Sequence, residues 1–164
     1  MKTEHPLRSI LLFILLMLTA LPLQADHLIM VRAHQPLPAA LDSLKQTIQQ
    51  QGYTVARVDM VNIGLLGMGY TSNKYRAVFF GKADEIEKLS RKYPQLTPYL
   101  PLRIAIFAEG DSTLLVTINP STYHEFLAAR EPAEIFNRWE KDIEQILSLM
   151  AERPGQAQQA SGGK

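Results

Sequence analysis

Residues 102–119 read LRIAIFAEGDSTLLVTIN, two apolar runs on either side of the compact turn sequence EGDST. Runs rich in Ile, Leu, Val and Phe that lie so close together in the chain fold back on one another as an antiparallel hairpin. Pro120 ends the second run as a strand, because proline has no N–H to give a ladder. The remaining elements must then extend or cover an antiparallel sheet.

The elements before the hairpin follow from periodicity. Residues 27–33 (HLIMVRA) predict a strand that stops at the HQPLP punctuation. Pro36 and Pro38 bracket a helix start, where a missing amide is tolerated. Leu37, Leu41, Leu44 and Ile48 make one amphipathic stripe behind them, and Gly52 closes it. Residues 53–61 (YTVARVDMV) alternate imperfectly and predict a second strand, and residues 76–80 (RAVFF) a third. Ile86, Leu89 and Tyr93 share a face of a second helix over 83–93 that Pro94 ends.

With three prolines, the segment PQLTPYLPL (94–102) predicts a shaped, irregular loop. After the hairpin, Glu131-Pro132 opens a long helix with Ile135, Trp139, Ile143, Ile146 and Met150 as its seam. The order is β-α-β-β-α-β-β-α. It predicts an α+β fold, a two-layer sandwich with a mainly antiparallel sheet and helices on one face. Strands AVFF, IAIFA and LLVTI are apolar on both faces, so a second cover is expected. The candidates are the C-terminal helix and a second copy of the chain, which makes a homodimer one expected partner state.

The N-terminus reads as an address. Lys2 and Arg8 precede the charge-free run ILLFILLMLTAL (10–21), and Pro22 and Leu23-Gln24-Ala25 follow it. Twelve apolar residues fall short of the roughly 20 that span a bilayer. The expectation is a signal peptide over 1–25 removed after Ala25, a periplasmic product, and membrane contact only during export. One α+β domain over 26–153 and a disordered Gly/Gln/Ser tail over 154–164 complete the predicted organisation.

Without Lys2, Arg8 and Glu4, the 17 basic and 16 acidic residues become 15 of each. That balance argues against a nucleic-acid partner. The chain has no cysteine, which excludes disulfides, thiolate metal sites and a cysteine nucleophile. An exported chain without disulfides depends on its core alone.

The pattern of an apolar strand, a helix, GY plus a strand and then YLPLRIAIFAEGDSTLLVTINPSTY (99–123) resembles a bacterial family of domains of unknown function, numbered three hundred and two. Its most specific part is LPLRIAIF together with TINP, and the resemblance covers residues 28–150. It implies a compact α+β fold, often exported, with no assigned activity. The family commonly carries a histidine after the second strand, where Val58-Asp59-Met60 stands here, and Asn-Pro-Lys where Phe80-Gly81-Lys82 stands. Any chemistry of that histidine is therefore lost in this chain.

Several stretches invite a functional reading. In NIGLLGMGYTSNK, Gly64 and Gly69 have the spacing of a phosphate loop, but Tyr70 occupies the position of its lysine and a strand follows. No nucleotide, and no other cofactor, is predicted. Gly64, Gly67 and Gly69 serve instead to bend the backbone, while Leu65, Leu66 and Met68 are too apolar for an idle loop. Lys74 and Arg76 flank the loop and can grip an anion, although such pairs are more often solvated.

His27, His34 and His124 show no metal-ligand spacing. His27 behind a new amino terminus at Asp26 is the one weak metal candidate. Tyr123-His124, after a strand end, is the cluster best suited to acid–base chemistry. The reading is a non-enzymatic periplasmic module that binds a small molecule or another exported protein. Its candidate residues are Tyr70, Lys74, Arg76, Arg103, Tyr123 and His124. The alternatives are a small enzyme using Tyr123 or His124 with Lys74 or Arg76, and a structural homo-oligomer.

Overall fold

The structure is a computed structural model that describes residues 27–60, 75–126 and 133–153. The glycine loop, the expected signal peptide over 1–25, the expected helix start at Glu131-Pro132 and the expected disordered tail over 154–164 lie outside the described residues. Five strands, β1 (Leu28–Ala33), β2 (Thr54–Asp59), β3 (Tyr75–Gly81), β4 (Leu102–Glu109) and β5 (Ser112–Ile118), form one sheet. Its order is β1-β5-β4-β3-β2 and every pairing is antiparallel. Among the described residues three α-helices, α1 (Leu37–Gln50), α2 (Ala83–Lys92) and α3 (Ala133–Glu152), complete the expected α+β order. Since β1 and β2 are the two edges, α1 must carry the chain across the whole width of the sheet.

Local chemistry explains the boundaries. Pro36 stands at the head of α1 with extended backbone, and its carbonyl accepts the Ala40 N–H at 3.0 Å. At the other end Gly52 takes a φ of 76°, so that its N–H reaches Gln49 O and the Tyr53 N–H reaches Ile48 O. That is a Schellman closure, which favours glycine because a Cβ is strained at positive φ. In the hairpin, Glu109 pairs with Ser112 across a two-residue turn. Gly110 sits at a φ of 63° and no described non-glycine residue has positive φ, which defines a type II′ turn.

The imperfect alternation of β2 is a β-bulge. Val55 pairs with Phe80 and Val58 with Val78, with the register slipping between Val55 and Arg57. The extra residue lets two valines three apart both face the helices. Regular pleating would have turned Arg57 into the core.

The core lies between the sheet and α1 with α3. Val78, Phe80, Ile104, Ile106 and Leu115 meet Leu44 and Ile48 of α1 and Trp139, Ile143 and Ile146 of α3 in one cluster. Each such side chain contributes roughly 1.5–3 kcal/mol on full burial. α2 adds Leu89, and its Glu85 carboxylate accepts from Arg138 at 2.7 Å and from the Trp139 indole at 3.2 Å.

Two expectations need correction. PQLTPYLPL is not wholly irregular, because Pro94–Tyr99 forms a 3₁₀ helix. Pro94 stands in its first turn, where the absent amide costs nothing, and fully buried Leu96 pins it to the core. The long C-terminal helix does not cover the second face of the sheet. It lies beside α1 on the same face, because its Phe136, Trp139 and Ile143 belong to the same core cluster as Leu44 and Ile48.

Candidate functional site

No described helix covers the opposite face, and strand register arranges its side chains in cross-sheet rows. The first row runs Arg57, Phe79, Arg103, with Ile118 and Leu28 paired beyond them. The middle row is Asp59, Ala77, Ala105, Val116 and Met30. The third is Tyr75, Phe107, Leu114 and Arg32. Tyr75 and Phe107 stack with ring centroids 4.4 Å apart and planes within 6°.

Bulky rows on either side of a middle row that is alanine at Ala77 and Ala105 leave a trough. It measures about 330 Å³, bounded by Tyr75 at one end and by Phe79 and Arg103 at the other, with Val116 and Ile118 along its flank. That volume falls in the range of small-molecule sites. The face is apolar beyond ordinary surface: Met30 is 59% exposed, Leu28 44% and Phe107 36%.

Its charges are unequally satisfied. Arg32 Nε donates to Glu109 at 2.8 Å, and this hydrogen bond raises the arginine pKa further. Arg57 reaches Asp59 at 3.1 Å and lies 4.3 Å over the Phe79 ring. Arg103 lines the trough, and among the described residues its guanidinium has no hydrogen bond or ion pair.

The described residues among those singled out in the sequence are spread over both faces of the sheet. Tyr70 and Lys74 lie outside the described residues. Arg103 lies in the trough. Arg76 points to the other face, opposite Ile106, and its guanidinium donates to the Tyr75 carbonyl at 2.8 Å. Tyr123 is buried in an aromatic group with Tyr99 and Phe136, both at 5.6 Å. Burial pushes its phenol up to about 12, against an opposing pull from the Arg103 charge.

His124 stands edge-on to Phe136 at 5.1 Å. Arg76 pairs with Ile106 and donates to the Tyr75 carbonyl, whereas Tyr123 and His124 both pack against the Phe136 ring of α3. His27 Nδ1 lies 3.8 Å from Glu125, and among the described residues no group of three or more His, Cys, Asp or Glu side chains assembles around it.

Sequence reasoning missed the trough itself. Its signal was the large–small–large alternation Tyr75, Ala77, Phe79 beside Arg103, Ala105, Phe107, which has meaning only once the register sets alanine against alanine. It also missed Asn119, whose amide donates to Glu140 at 2.6 Å while its side-chain oxygen accepts from the Ser121 N–H and hydroxyl. The TINP sequence is thus the joint between β5 and α3.

A five-stranded antiparallel sheet with helices on one face and, on the other, an arginine-edged trough that no described helix covers belongs to the class of two-layer α+β sandwiches. Within that class, the chain belongs to the family described as "Domain of unknown function DUF302", which matches residues 29–150. The fold is similar to the crystal structure of an uncharacterized conserved DUF302 protein from Bacillus stearothermophilus. The TM-score is 0.67 at 16% identity, over 77% of this chain and 99% of that one. Comparison with curated proteins gives no match.

Proposed function

We propose that the chain is an exported, non-enzymatic binding module and that the open face of its sheet is the binding surface. The observation that carries the reading is the trough of about 330 Å³ on a face that no described helix covers. A hydrophobic surface with a shaped depression stabilises a bound apolar body by removing both from water. Tyr123 and His124 pack on Phe136 and do not line the trough, which favours binding over acid–base catalysis there. Export is supported by Lys2, Arg8, the apolar run 10–21 and the Leu-Gln-Ala site.

The test is methyl-resolved NMR of the purified protein against a library of small apolar fragments. Shifts confined to the methyls of Ala77, Ala105, Val116 and Ile118 are the expected result. Shifts scattered over the helices, or none, overturn the assignment of this face. Cell fractionation with N-terminal sequencing of the product tests export, and a product that retains residues 1–25 refutes it.

A further inference from the structure

Resting on the assignment of the open face as a binding surface, we infer that its ligand is an amphipathic anion. Its apolar body lies along the Ala77–Ala105 trough and its carboxylate pairs with Arg103.

The argument is one of charge complementarity. On this face Arg32 is engaged by Glu109 and Arg57 by Asp59, both within ion-pair distance. Arg103 stands at the end of the trough, opposite Phe79, without such a partner among the described residues. Any occupant of the trough removes water from beside Arg103. Burying a guanidinium without a counter-charge is costly, so a neutral occupant forfeits much of what the apolar floor contributes.

A second copy of the chain solves this poorly. Its own open face brings another Arg103, and the carboxylates of Asp59 and Glu109 are already held. A carboxylate on the ligand removes the penalty and accepts two parallel N–H bonds from the planar guanidinium. The floor fits the remainder of such a molecule. Between the bulky rows, Ala77, Ala105 and Val116 stand side by side on three adjacent strands, so the small or apolar floor extends roughly 10 Å across the sheet.

The experiment is isothermal titration of the purified protein with sodium decanoate below its micelle concentration, with 1-decanol as the neutral isostere and sodium acetate as the headgroup alone. Arg103→Gln and Arg103→Lys are run beside the parent, and circular dichroism melts check that they remain folded. Decanoate is expected to bind one-to-one and at least about 10-fold tighter than decanol, a charged hydrogen bond being worth that much, while acetate shows no heat. Arg103→Gln should weaken decanoate about 10–100-fold and leave decanol unchanged, and Arg103→Lys should retain part of the difference.

Equal affinity for decanoate and decanol, or an Arg103→Gln protein that binds decanoate as the parent does, overturns the anion inference. The binding face itself then still stands. Binding of neither probe overturns both.

Discussion

Tyr53 shows how much one polar atom at the core's edge can decide. Its hydroxyl donates to Asp142 at 2.6 Å, and its ring meets the Phe80 edge at 5.6 Å. Burial first, and then the hydrogen bond to Asp142, raise its pKa well above the ordinary phenol range. A raised pKa in the folded state means that the folded chain holds this proton more tightly than the unfolded one. Its contribution is complete below the unfolded value of about 10 and fades as pH climbs toward the folded value. Urea midpoints should therefore fall steadily above about pH 10, and Tyr53→Phe should flatten that fall while costing roughly 1–2 kcal/mol at pH 7. An unchanged alkaline slope in Tyr53→Phe would exclude this account. Gly52 offers a test of backbone alone: a Cβ there meets nothing within 4 Å, yet φ is 76°. Gly52→Ala should still lose about 1 kcal/mol in urea unfolding, through left-handed strain at the helix terminus.

At the scale of elements, the hairpin, the three helices and their order were legible because each carries its own period and its own stop signals. α3 buries Trp139, Ile143, Ile146 and Met150 as its seam predicts. It also buries Phe136 and Leu147, because a helix lying between a sheet and α1 needs a broader stripe than one seam. The 3₁₀ helix Pro94–Tyr99 was hidden by its prolines, since what orders it is the burial of Leu96, a tertiary effect. The bulge in β2 was visible only as poor alternation. Asn119 joins β5 to the 3₁₀ helix Pro120–Phe126 and to Glu140 of α3, and none of those partners is near enough in sequence to have announced it, Ser121 excepted. Asn119→Ala should cost about 2 kcal/mol, as losing a cap and a charged hydrogen bond together would, and should speed hydrogen exchange at the Ser121 and Thr122 amides before the sheet opens. Exchange that accelerates equally across β5 and the 3₁₀ helix would show that Asn119 is no separate joint.

For the whole molecule, the sequence showed that both faces of the sheet are apolar but not which one the helices take. Helix direction and the α1 crossover are global choices, and the strands AVFF, IAIFA and LLVTI suit either side. Arg103 was legible as a basic residue inside an apolar strand; the trough beside it depended on a cross-strand register that no single strand encodes. The layering makes a sharp prediction about the two faces. Ile104 is fully buried beneath the helices, whereas Met30, which pairs with Val116 in the middle row, is 59% exposed. Ile104→Ala should cost about 2–5 kcal/mol, since it opens a cavity among close-packed neighbours. Met30→Lys should stay within about 0.5 kcal/mol, because its long stem lies along the apolar face while the ammonium remains in water. Urea unfolding of both variants at two protein concentrations separates the alternatives. A loss for Met30→Lys that matches Ile104→Ala and shrinks on dilution would mean that the parent buries this face against another copy, and the open trough would then be an interface between chains.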